Sequence, residues 1–118
     1  MTGSTGYYAG LAAEDSVAHN YSVRNHRIAA RRWRGKSGEI DLIARDGDTI
    51  VFVEVKKSRD FQSAALRLGR RQMDRICASA SEFLAGEPKG QLTDVRFDLA
   101  MVNAVGRIEI IENAFMEA

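Results

Sequence analysis

The stretch from Gly38 to Lys57 constrains this chain more than any other. It reads Gly-Glu-Ile-Asp-Leu-Ile-Ala-Arg-Asp-Gly-Asp-Thr-Ile-Val-Phe-Val-Glu-Val-Lys-Lys. Two runs rich in β-branched residues and Phe, Ile40 to Ala44 and Thr49 to Val55, suit a pleated surface. Asp46-Gly47-Asp48 between them predicts a turn, because Gly accepts positive φ and Asp tolerates left-handed geometry. Side chains two apart on a strand share a face, so Ile50, Phe52, Glu54 and Lys56 point one way and Val51, Val53 and Val55 the other. Both rows begin apolar, which predicts a strand covered on both sides. An acid and a base then emerge at its end, and Asp41 interrupts the facing run. Buried charges are costly unless they are paired or hold a metal.

Strand pairing that brings Asp41 and Glu54 together would offer hard oxygen donors suited to Mg²⁺ or Mn²⁺. Lys56 beside them can orient an attacking water and stabilise charge developing on phosphate. The plainer alternative is a surface hairpin with an ordinary Glu–Lys pair. Glu-x-Lys alone is common by chance, but joined to Gly-Glu-Ile-Asp-Leu-Ile and Val-Phe-Val-Glu-Val-Lys it is far more specific.

Asp, a gap, then Glu-x-Lys is the constellation of the PD-(D/E)xK nucleases. Gly38 to Gly47, followed by Phe52-Val53-Glu54-Val55-Lys56, resembles the YraN family of small bacterial proteins. That family belongs to the restriction-endonuclease-like superfamily and is similar to the archaeal Holliday junction resolvases. The resemblance runs from about Gly10 to Asp98 and is densest in the hairpin. It implies an α/β fold with a mixed central sheet flanked by helices. It also implies that a Glu from the first helix joins the metal site, and Gly10-Leu11-Ala12-Ala13-Glu14 matches that segment. Two positions depart from the family. Asn25 stands where Gly is usual, and Arg71-Gln72 replaces Lys-Gln, which keeps the charge although Arg and Lys hold phosphate differently.

At 118 residues the chain is one domain, 1–118, large enough for a real core, with its Gly/Ser/Thr-rich residues 1–6 expected to fray. A single cysteine, Cys77, excludes an internal disulfide and fits a reducing cytoplasm. It is read as a small core residue of a helix. No apolar run approaches a membrane span, and the first residues lack a signal core. Net charge is only +1, yet the segment from Arg24 to Arg75 holds fourteen of the seventeen Lys/Arg and seven of the sixteen Asp/Glu. Charge is thus segregated along the chain, with the candidate site in its basic part.

In order, a helix from Tyr7 or Tyr8 to about Arg24 is marked by Leu11, Glu14, Val17, Ala18 and Tyr21 on one face. Asn25 is placed for a left-handed C-cap. Glu14 lies in the inward stripe, unusual for a lone acid, so a packed but solvated charge is the bland alternative. His26 to Arg34 reads as a first strand with Ile28 and Ala30 inward. Arg24, Arg27, Arg31, Arg32, Arg34 and Lys36 form a basic run interleaved with Trp33. It reads either as a charged edge that blocks strand addition or as a phosphate-binding run with an indole for packing or base stacking. His19 and His26 lack metal-ligand spacing and read as surface or capping residues. Glu39 shares the Asp41 face and is an additional ligand or an acceptor for Lys56 or a nearby Arg. After the hairpin comes a loop with one turn through Ala64-Ala65-Leu66. A helix then runs from near Gly69 to about Ala85, with Met73, Ile76, Cys77, Ala80, Phe83 and Leu84 as its buried stripe. Arg70, Arg71, Gln72 and Arg75 occupy its first turns. Cations oppose the helix dipole there, so an external anion is a sensible reason for them. Val95 to Met101 alternates as a fourth strand, with Asp98 either following the family or simply pairing with an Arg. Arg107 to Ile111 is a fifth, edge strand.

The order αβββαββ fits an α/β domain with the third strand central. Three functions remain open: a metal-dependent nuclease acting on nucleic acid, with branched or structured DNA among the candidate substrates, a non-cleaving nucleic-acid-binding module, and a protein-interaction domain. In the favoured mechanism Asp41, Glu54 and the Val55 carbonyl hold one or two Mg²⁺ (or Mn²⁺), Glu14 completes the shell and Lys56 positions the hydroxide. Arg31, Arg32, Arg34, Lys36, Arg70, Arg71 and Gln72 are the expected nucleic-acid contacts. No membrane partner is expected, and a homodimer is left open.

Overall fold

The computed structural model describes residues 2–62 and 69–114, with side chains from residue 10 onward. Its elements are α1 (Thr2–Val23), β1 (Arg27–Arg34), β2 (Glu39–Asp46), β3 (Thr49–Lys57), α2 (Arg70–Leu84), β4 (Val95–Val102) and β5 (Ile108–Ile111). This is the order that the hydrophobic pattern predicts. The turn expected at Ala64 to Leu66 lies outside the described residues. The strands form one sheet in the order β1-β2-β3-β4-β5, so β3 is central. β3 and β4 are parallel and every other neighbouring pair is antiparallel. A parallel pair needs a long crossover, and the segment carrying α2 supplies it. The hairpin closes through Gly47-Asp48, with Gly47 at φ 60°.

Both faces of β3 are covered, as its two apolar rows require. On one face Ala13, Val17, Ala18 and Tyr21 of α1 pack against Leu42, Ala44, Val51, Val53, Ala100 and Val102. On the other, Ile76, Ala80 and Leu84 of α2 pack against Ile40, Ile43, Ile50 and Phe52. α1 begins at Thr2 rather than near Tyr7, with no proline to stop it. It ends as its C-cap predicts: Asn25 takes φ 68°, and the His26 N–H reaches back to the Tyr21 carbonyl at 2.9 Å. His26 is buried beside this cap, with Nδ1 3.0 Å from the Arg24 carbonyl. No helix among the described residues is long and apolar enough to cross a membrane.

Two expectations are corrected. Ile28 and Ala30 do not share a row, because the β1–β2 register slips between them. Ile28 pairs with Ala44 on the α1 side and Ala30 with Ile43 on the α2 side. Trp33 takes the packing alternative. It packs edge-to-face on Phe83 with centroids 5.6 Å apart. Cys77 is exposed, and Ser79 is buried in the α2 face instead. The Ser79 hydroxyl donates to the Gly38 carbonyl at 2.9 Å, which satisfies its polar group inside the contact. Asp98 takes the structural option. Fully buried, it accepts hydrogen bonds from Arg96 Nε at 2.9 Å and from the Tyr21 hydroxyl at 2.7 Å.

Candidate metal and nucleic-acid site

The hairpin ladder ends where the site begins. Leu42 opposite Val53 is the last β2–β3 rung on that side. Asp41 follows on β2, and its side chain replaces the missing main-chain partner: Oδ2 accepts the Val55 N–H at 2.8 Å. β3 continues in register with β4, pairing Glu54 with Leu99 and Lys56 with Met101. The end of the central strand is therefore held on one side by β4 and opened on the other by the fork at Asp41.

Glu54 is only 7% exposed. Its Oε1 meets Lys56 Nζ at 3.3 Å and accepts from Gln72 Nε2 at 2.7 Å. The Asp41 carboxyl group lies close enough for its charge to act on Glu54. Burial, then the neighbouring Asp41 charge, pushes Glu54 up to about 7, against the pull of Lys56. Asp41 is also raised, by burial first and by the charge of Glu14, while the Val55 amide works against the shift. Two like acids in one desolvated place cannot both ionise cheaply, which is why Glu54 keeps its proton until pH rises through about 7. A divalent cation could take the place of that proton, and an all-oxygen donor set suits Mg²⁺ or Mn²⁺.

The structure brings Asp41, Glu54 and Lys56 together, as the sequence predicts, and adds Gln72 to them. Gln72 therefore meets an acid rather than standing open for nucleic acid. Glu14 faces the neighbourhood but is held by Arg32, whose Nε and Nη2 reach its two oxygens at 3.0 and 3.3 Å. No group of three or more His, Cys, Asp or Glu side chains is gathered into a metal cluster among the described residues. Glu39 serves an arginine, Arg34, at 3.2 Å.

The expected phosphate-binding residues divide. Arg31 is ion-paired with Asp15, Arg34 with Glu39 and Arg70 with Asp74. Arg45 is paired with Glu87, and Arg24 with Glu112. Charge segregated along the chain is thus largely interleaved in space, because acids from α1 and from the C-terminal half fold onto the basic middle. Lys36, Arg71 and Arg75 are exposed cations whose side chains meet no carboxylate among the described residues. Arg75 lines a pocket of about 190 Å³ with Gly38, Glu39, Gln72 and Ile76, of which Gln72 also bonds Glu54. The sequence places Arg75 among the first-turn residues read as facing an anion, one turn after Gln72 on the same helix face.

The profile of the family described as "Uncharacterised protein family UPF0102" matches residues 13–102. A UPF0102 protein of Cereibacter sphaeroides is 64% identical over 115 residues, covering 98% of each chain. One from Ruegeria pomeroyi is 60% identical over 113 residues, covering 96% of this chain and 92% of its own. A more distant one, from Dinoroseobacter shibae, is 42% identical over 114 residues, covering 97% and 85%.

Proposed function

We propose that this chain, which belongs to the UPF0102 (YraN) family, is a metal-dependent nuclease that hydrolyses phosphodiester bonds in nucleic acid, with DNA as its substrate. The observation that carries this reading is half-buried Asp41 beside buried Glu54, with Lys56 Nζ 3.3 Å from Glu54. Nucleic-acid binding alone needs no carboxylates beside phosphate, where they repel it. Catalysis explains them, because acids that hold a divalent cation favour the developing phosphoryl charge.

Asp41, Glu54 and the Val55 carbonyl would hold Mg²⁺ or Mn²⁺. Such an ion, when bound, polarises a phosphoryl oxygen and lowers the pKa of water. Lys56 orients the attacking water and stabilises charge on the phosphoryl oxygens. Gln72 fixes the Glu54 carboxylate through its 2.7 Å hydrogen bond. Arg71 and Arg75 meet backbone phosphates beside the pair, and Lys36 meets them further along α2, near Glu82. One observation favours a non-cleaving module instead: Glu14, expected to complete the metal shell, is paired with Arg32.

Calorimetric titration of Mn²⁺ into the wild type and Glu54→Ala tests the site. The wild type should give binding heat that Glu54→Ala lacks, and equal heats would remove the metal from the argument. Binding must also displace the Glu54 proton, so wild-type affinity should rise with pH through about 7. A pH-independent affinity over that range would count against ligation by this pair.

A further inference from the structure

We infer that Arg32 is a positioning residue for Glu14: it holds the Glu14 carboxylate away from Asp41 and Glu54 until a nucleic-acid phosphate draws Arg32 off and frees Glu14 to complete a three-acid cation site. The inference rests on the nuclease reading and adds a coupling between its two ligands.

The backbone is built for this contact. Successive residues on a strand normally point to opposite faces. Arg31 and Arg32 nevertheless both reach α1, where they pair with the consecutive acids Asp15 and Glu14. Arg32 takes φ 51°, a left-handed conformation that L side chains rarely adopt, and this breaks the alternation. The break lies opposite Asp41, between the rungs Arg31–Leu42 and Trp33–Ile40. Strand irregularity and acid site thus sit at one point of the sheet.

The two partners differ in access. The Glu14 side chain is 13% exposed and the Arg32 side chain 39%. A phosphate can therefore approach the guanidinium while the carboxylate stays inside. The guanidinium fork fits a carboxylate and a phosphate equally well, so one can replace the other on it. Glu14 is near enough for its charge to raise Asp41. Released from Arg32, it would add a third negative charge to a pair that already repels. A divalent cation would then bind more tightly than before. By linkage, the cation must in turn tighten phosphate binding by the same factor.

The test is calorimetric Ca²⁺ binding to the full chain, without and with saturating short DNA duplex. In the wild type the duplex should raise Ca²⁺ affinity at least about fivefold, the lower end of ordinary coupling. Arg32→Ala should bind Ca²⁺ more tightly than wild type without DNA and gain less than about twofold from the duplex. Arg32→Gly, which suits the left-handed backbone, should behave alike and guards against a folding defect. Glu14→Gln should lose the coupling. Arg31→Ala removes the same charge one residue earlier and should keep wild-type coupling. Wild-type coupling in both Arg32 variants, or equal effects of Arg31→Ala and Arg32→Ala, would overturn the inference. Wild-type Ca²⁺ binding that ignores the duplex would overturn it while leaving the nuclease reading intact. No wild-type Ca²⁺ binding under either condition would remove both.

Discussion

Glu54 carries a carboxyl group into a place where its charge is poorly solvated, and the consequence is readable in stability. Its folded pKa of about 7 lies above the ordinary value of 4.5. Between those values the folded chain keeps a proton that the unfolded chain releases. Stability from this group is therefore full below about 4.5 and is lost as pH rises through about 7. In EDTA, Glu54→Gln should flatten that fall and be the more stable protein at pH 8 by a few kcal/mol. Thermal unfolding of both proteins from pH 4 to 8 checks it. Parallel curves would mean that Glu54 is not paying a desolvation cost. Asp41→Asn should likewise stabilise the metal-free fold, less than the burial suggests, because the amide would meet the Val55 N–H through its oxygen alone.

The elements follow from patterns with a clear physical period. Alternation in the hairpin predicts a strand covered on both faces, and α1 and α2 cover it. Asn25 at the end of α1 predicts a left-handed cap, and it takes φ 68°. Replacing it with Ala should destabilise the protein by about 1 kcal/mol, whereas Gly should be tolerated or stabilising. Denaturant unfolding of both variants decides this, and equal losses would contradict the cap. Other features were not legible because they depend on partners remote in sequence. The positive φ of Arg32 arises where two arginines meet acids on α1, and the slip in β1 lies just before it, between Ile28 and Ala30. Cys77 and Ser79 exchange burial because a hydroxyl is needed at the Gly38 carbonyl, which helical period alone does not reveal. The site divides in the same way. Asp41, Glu54 and Lys56 stand in one hairpin and could be read from it. The bond from Gln72 to Glu54 joins a helix to a strand and could not.

Across the whole molecule, folding pairs most of the basic run with acids, so few arginines remain to meet phosphate. The interface should therefore centre on Arg71 and Arg75, beside the Gln72 that bonds Glu54, with Lys36 further along α2 where its backbone meets Glu82. Arg71→Ala with Arg75→Ala should lower the slope of log K against log salt by about two units. Arg31→Ala, already paired with Asp15, should change it little. The reverse pattern would return the interface to the β1 edge. The central claim is that the pair at the end of β3 performs chemistry, and Lys56 separates that role from binding. A group acting only in the transition state lowers the chemical rate without weakening ground-state binding. The direct measurement is single-turnover cleavage by wild type and Lys56→Ala of linear, single-stranded, flapped and four-way DNA in Mg²⁺ or Mn²⁺, with binding followed by anisotropy in Ca²⁺. Wild type should cleave in a metal-dependent way, and Lys56→Ala should bind nearly as well but not cut. Wild-type protein that binds DNA and cuts none of these substrates in either metal would contradict the central claim.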